Sequence, residues 1–270
     1  MNSLVLSLRQ SPVQRLDLAP LTPDNLAGKS EAEITALPLN TTRERVCVGD
    51  VFRLRRGDAA DIVIEGGSER FDRVGCAMTG GTVRTDGDVG AQSGRLMSGG
   101  KLTIGGNAGP WAASGMKGGT IEIAGNAGER LGGPLGGEMG GMRGGVVVVR
   151  GDVGERAADR LRRGTIIVEG KAGRHAGSRM IAGTLVIGGR AGPLPGYLMA
   201  RGTLVCGGGC DDLSPTFADC GVHDLVATAL MANFVKPYSP TISELLRRPW
   251  RRLLGDMAVI GKGEIFYPPA

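Results

Sequence analysis

Four side chains late in the sequence are of types that could hold a metal. Cys206, Cys210, Cys220 and His223 fall within eighteen residues, with three, nine and two residues between them. Zinc accepts four such ligands, but this spacing matches no common ribbon or finger. Cys206 also continues an inward apolar column described below, where a cysteine acts as a small hydrophobe. We assign no metal site in this chain, and these four remain the one grouping whose residue types would allow one. The chain has two histidines. His175 occupies a corner shared with Gln92, Trp111, Arg156 and Leu194, a variable set that places it at the surface. No nucleophile pattern accompanies it. No catalytic residue is assigned, and no cofactor-binding residue is identified.

These residues sit in a repeat. Gly-x-[Ala/Val]-Gly occurs at Gly87–Gly90, Gly106–Gly109, Gly125–Gly128, Gly151–Gly154, Gly170–Gly173 and Gly189–Gly192. The step is 19 residues each time except 26 between the third and fourth copies. A fixed period near twenty means a solenoid in which stacked coils bury a continuous core. A glycine loop that cradles phosphate would stand once, before one long helix, whereas this motif recurs six times among short β-type runs.

Stacking aligns equivalent positions into columns. One reads Val83, Leu102, Ile121, Val147, Ile166, Leu185, Leu204; two residues on, another reads Thr85, Ile104, Ile123, Val149, Val168, Ile187, Cys206. Residues two apart on a strand share a face, so both columns point inward. A third column is small, Val89, Ala108, Ala127, Val153, Ala172, Ala191, as a tight corner requires. A fourth, Met78, Met97, Met116, Met142, Leu161, Met180, Met199, reads as a core ladder of adaptable side chains. The period of 19, with one irregular side, predicts an all-β solenoid: a right-handed parallel β-helix. About eight coils at roughly 4.8 Å per rung give a column about 35 Å long.

The predicted organisation is an N-terminal cap over 1–55, the β-helix over 56–210 and a C-terminal helical extension over 211–270. In the cap, Leu4–Ser7 reads as an edge strand, and Ser30 with Glu33 forms a capping box at a helix start. Cys47–Leu54 alternates into the first coils. Solenoids need caps because an open end exposes unpaired strands. Beyond Gly209, Asp224–Phe234 and Thr241–Leu254 read as helices, the second broken near Pro249 and carrying Arg247, Arg248, Arg251 and Arg252; Gly261–Tyr267 reads as a last strand.

Composition narrows the function. No apolar run of 18 residues and no leader is present, five cysteines stand at irregular positions, and the expectation is a soluble, cytoplasmic protein that binds no membrane. Net charge is +5, but aromatics are 4% and no basic stripe alternates with them, so nucleic-acid binding is unsupported. A stand-alone carbohydrate-active enzyme on a β-helix would cluster carboxylates on a strand face. The outward positions here are Arg84, Thr103, Glu122, Val148, Ile167, Val186 and Val205, with no such cluster. Four successive apolar residues there require a cover, either the chain's own C-terminal helices or another subunit, and the helices are favoured because they follow directly.

The repeated Gly-Gly-Thr-[Ile/Leu]-x-[Ile/Val]-x-Gly-x-[Ala/Val]-Gly…Met pattern resembles the glycine-repeat β-helix shared by the large subunit of glutamate synthase and the C subunit of formylmethanofuran dehydrogenase. The resemblance spans roughly 60–220. The exit, Gly202-Thr203-Leu204-Val205 followed by Leu213-Ser214-Pro215-Thr216-Phe217, and the lack of synthase domains are similar to the second branch. It implies a non-catalytic structural subunit of the bacterial formyltransferase/hydrolase complex. That complex passes a formyl group from tetrahydromethanopterin to a methanofuran-type carrier and hydrolyses it to formate. Implied partners are an amidohydrolase-like A subunit, a B subunit, and a formyltransferase subunit, with the carrier, tetrahydromethanopterin and the metal site held there. The alternative is the C subunit of an archaeal tungsten or molybdenum formylmethanofuran dehydrogenase that reduces CO2. An excess of arginine over lysine favours the bacterial complex.

Two surface expectations complete the reading. The seven-residue insertion around Leu131–Glu138 is expected to contact a partner subunit, since solenoid insertions loop from one face. One corner column runs Asp88, Asn107, Asn126, Asp152, Lys171, Arg190, and Arg156, Arg160, Arg162, Arg163, Arg174, Arg179 and Arg201 add charge to the later coils. Arginine fixes carboxylates in bidentate fashion. The carriers of the resembled family have glutamate-rich tails, so an acidic carrier or partner surface is expected beside these coils.

Overall fold

A computed structural model describes residues 2–41 and 43–269. The nineteen-residue period appears directly as hydrogen-bonded register. Val83 is the Cα partner of Leu102, Leu102 of Ile121, Ile121 of Val147, and so on through Ile166, Leu185 and Leu204. The 26-residue step is absorbed between Thr120–Ile123 and Arg143–Val149 without loss of register. Thirteen strands thus lie in one sheet that is mostly parallel, a β-helix-like arrangement with few helices.

Every member of the four predicted columns is buried. The small-residue column forms its own row of parallel bridges from Val89 to Ala191, and Cys210 extends it. The methionine and leucine side chains of the fourth column are fully buried. At the strand entries the rungs approach closely. A Cβ on Gly119, which has φ +86°, would sit 2.7 Å from the Gly100 carbonyl oxygen, so only glycine fits.

The parallel ladder is longer at both ends than the 56–210 boundaries. Ser3–Leu8 pairs in parallel with Asp58–Glu65, placing Leu4 beside Ile62 and Leu6 beside Ile64. Both leucines are buried, so this strand is an interior rung; the edge is Phe52–Arg55, antiparallel to it. The capping box at Ser30 is present, with Ser30 Oγ accepting from Glu33 N at 3.3 Å.

The segment beyond Gly209 is mixed rather than helical. Its helices are Val226–Val235 and Pro240–Leu245. Trp250–Leu254, expected as helix, is a strand. Pro249 ends the helical stretch, and Trp250 then turns inward to full burial. Lys262–Tyr267 returns to add the last parallel rung, with Ile265 beside Leu204. Trp250–Leu254 closes that rung antiparallel, and Ala218–His223 pairs outside it. Non-parallel closing strands at both ends protect the ladder edges.

The C-terminal segment also covers the apolar outer strip. Val148, Ile167, Val186 and Val205 are fully buried in a second core with Val235, Ile242, Leu246, Trp250 and Phe266. Ser239 fixes the cover by donating to Glu169 Oε1 at 2.6 Å while its oxygen accepts from Ile242 N and caps the helix.

Candidate functional site

The four possible metal ligands take up separate structural positions. Cys206 is the Cα partner of Ile187 and is fully buried, and Cys210 bridges Ala191. Both are column residues. The nearby Cys210 thiol and burial push the Cys206 thiol well up. The Cys206 thiol in turn holds the Cys210 thiol down, with help from Arg190. On Ala218–His223, which two strands separate from Arg201–Cys206, a ring nitrogen of His223, Nε2, lies 2.7 Å from the Cys220 carbonyl oxygen. Among the described residues no three His, Cys, Asp or Glu side chains gather in a metal-holding group.

His175 is half-buried at its corner. Its ring meets Tyr197 edge-on at 5.5 Å, and its Nδ1 is buried without a hydrogen-bond partner among the described residues. Burial lowers its pKa first, then Arg174 and Arg156, against an opposing Glu155. The backbone at this corner is left-handed in every repeat: Gln92, Trp111, Arg130, Arg156, His175 and Leu194 have φ of 62, 58, 55, 57, 60 and 56°. The position is therefore set by corner geometry and tolerates several side chains.

The acidic half of the corner column has a structural role. Asp88 Oδ1 accepts from Asn107 N at 2.6 Å, Asn107 Oδ1 from Asn126 N at 2.8 Å, Asn126 Oδ1 from Asp152 N at 2.8 Å and Asp152 Oδ1 from Lys171 N at 2.7 Å. Each side chain satisfies the backbone of the next repeat. Lys171 cannot accept, so the ladder stops there.

The later arginines divide into distinct groups. Arg179 clamps the buried Asp159 carboxylate, Arg190 pairs with Asp211, and Arg160 donates to the Glu138 carbonyl at 3.1 Å. Arg156 and Arg174 lie near His175. Arg162, Arg163 and Arg201, together with Arg143, line a cleft of about 430 Å³ floored by Ile181 and Ala182. Arg143 was missed in the sequence although it follows the insertion, as the later arginines do; its pairing with Arg163 brings it to the cleft. A larger cavity, about 740 Å³, lies elsewhere, between the N-terminal cap and the first rungs. Its Asp24 is tied to Thr79 N at 2.7 Å.

The insertion folds back on the body. Glu138 pairs with Arg95 at 2.6 Å and accepts from Leu135 N at 3.0 Å, which leaves Met139 81% exposed. A second apolar surface lies on the C-terminal helix, where Val226, Leu230 and Phe234 are 77%, 64% and 49% exposed. Positions four apart form one stripe, on the side opposite the buried Ala232 and Val235.

No protein-family model matches the chain. Over 263 residues it is 50% identical to the C subunit of the formyltransferase/hydrolase complex (Fhc) of Methylorubrum extorquens, covering 97% of this chain and 98% of that one. Its fold superposes with a TM-score of 0.95 and 44% identity on a chain of the crystal structure of the formyltransferase/hydrolase complex (FhcABCD) from the same organism, in complex with methylofuran. That match covers 98% of this chain and 100% of the other.

Proposed function

The chain belongs to the C-subunit family of the formyltransferase/hydrolase complex, and from that premise we propose that it is the non-catalytic framework of such a complex. The observation that carries this is the coextensive match to the Methylorubrum C subunit, in sequence and in fold. In the proposed reaction a formyl group moves from tetrahydromethanopterin to a methanofuran-type carrier and is hydrolysed to formate. The carrier, tetrahydromethanopterin and the metal site belong to partners: an amidohydrolase-like A subunit, a B subunit, and a formyltransferase subunit. The hydrolytic complex is preferred over the archaeal redox enzyme because the solved relative is a formyltransferase/hydrolase assembly.

A framework role suits the architecture. We read the ladder as a right-handed parallel β-helix with nineteen-residue coils, a body whose repeats brace one another. The exposed stripe Val226, Leu230 and Phe234 supports a partner interface, because a contiguous apolar surface in water is otherwise a liability. Met139, held out by the pinned insertion, supports a second contact. The test is affinity purification of the tagged chain from its native cells, followed by mass spectrometry. Co-recovery of the three other subunits in fixed ratio is expected. Recovery alone, or with tungsten or molybdenum redox subunits, would overturn the reading.

A further inference from the structure

We propose that Arg143, Arg162, Arg163 and Arg201 form a docking site for an extended acidic peptide segment of a partner. All four arginines are exposed and converge on one cleft. Among the described residues none of them takes part in an ion pair. The nearest carboxylate, Glu138, feels the charge of Arg143 but is engaged by Arg95. Four like charges held together repel one another, and a ligand carrying carboxylates relieves that repulsion.

The arrangement favours a chain over a point anion. Arg143 and Arg163 are Cα partners on adjacent rungs. The register of the following rungs places Ala182 next and Arg201 after it, with Lys262 partnering Arg201 on the last. The charges therefore form a row. At about 4.8 Å per rung, Arg143 and Arg201 stand about 14 Å apart, the length of four to five extended residues at roughly 3.3 Å each. Several carboxylates along such a strand would come within reach of the guanidiniums of the row. Ala182 leaves the gap in the row, and Ile181 gives the floor an apolar patch for side-chain methylenes.

A backbone anion nest would call for free N–H groups. Here they are engaged: Arg143 N donates to Met116 O, Arg162 N to Met142 O, Ile181 N and Ala182 N to Leu161 O, and Arg201 N to Met180 O. Only the guanidinium forks remain as donors; they fit carboxylate and phosphate alike, and the length of the row favours a chain of carboxylates over one phosphate. The insertion borders the site, since Gly140 packs against the Arg162 side chain and the exposed Met139 precedes it.

This inference rests on the cleft and not on the identity of the complex. The test is fluorescence anisotropy of labelled hexaglutamate with the purified full chain at low ionic strength. Wild type is expected to bind it, to ignore hexaglutamine and to weaken steeply with salt. R163Q/R201Q should weaken binding at least tenfold, with unchanged circular dichroism because neither side chain holds a structural contact. R156Q/R174Q removes the same charge elsewhere and should change binding less than twofold. Equal losses in the two double variants would show a non-specific charge effect and overturn the proposal. So would R163Q/R201Q binding within twofold of wild type, or displacement of the peptide by inorganic phosphate at an equal concentration.

Discussion

The fully buried Asp159 carboxylate is clamped by the Arg179 guanidinium of the next repeat, with Nε 2.9 Å from Oδ1 and Nη2 2.6 Å from Oδ2. Ser178 donates to the same carboxylate at 2.9 Å. Arg179 thus belongs to the interior bonding of the coils and not to a free basic face. Removing it leaves a buried charge with one hydroxyl. R179A should cost about 3 kcal/mol, at the low end for such pairs because Arg179 is partly exposed. Urea unfolding measures it; a loss below about 0.5 kcal/mol would show that the clamp contributes no more than a surface pair.

A second prediction concerns the inward columns. Ile123 is buried between Ile104 and Val149. I123D places a carboxylate in that ladder and should cost on the order of 4 kcal/mol or prevent folding. The neighbouring outward position, T103D, should be tolerated. Equal thermal stability of both variants would contradict the assignment of faces.

The pH response of His175 has a definite sign. Its folded pKa lies below the ordinary value of about 6.5. Above that pH the ring is neutral in both states and adds no penalty. As pH falls through 6.5 the unfolded chain protonates first, and stability declines until pH passes the lower folded value. H175N keeps a residue that accepts left-handed backbone and removes the titration. The variant should gain in melting temperature relative to wild type between pH 7 and pH 5. Parallel curves would contradict the burial argument.

The exposed stripe predicts assembly effects without fold effects. L230E/F234E should retain the melting temperature of the isolated chain, since both residues face water. It should lower recovery of partner subunits at least fivefold. Full recovery would show that the stripe lies outside the interface.

What the sequence revealed follows from what repeats. The columns, the small corner and the apolar outer strip were legible because each is one residue class at one step, and a step of 19 cannot arise from local propensity. The first and last rungs were hidden. Leu4 and Ile265 join the same column as Val83 and Leu204, but they arrive from outside the period, and no spacing rule brings them there. Trp250–Leu254 read as helix because its pattern resembled the preceding turn; pairing with Lys262–Tyr267 overrode that. The left-handed corners were also invisible, since Gln92, Trp111 and Leu194 carry none of the glycine signal that marks such backbone. The arginines were visible as a group. Their division into an internal clamp at Arg179 and an unpaired row at Arg163 and Arg201 depends on Asp159, whose burial no spacing announced.

The most direct test of the framework role is formate release from the formyl carrier, assayed for the purified chain, for the remaining subunits without it, and for the two recombined. The account predicts no turnover by the chain, little by subunits lacking it, and restoration on recombination. Turnover by the chain alone, or a full rate and full assembly without it, would contradict the account.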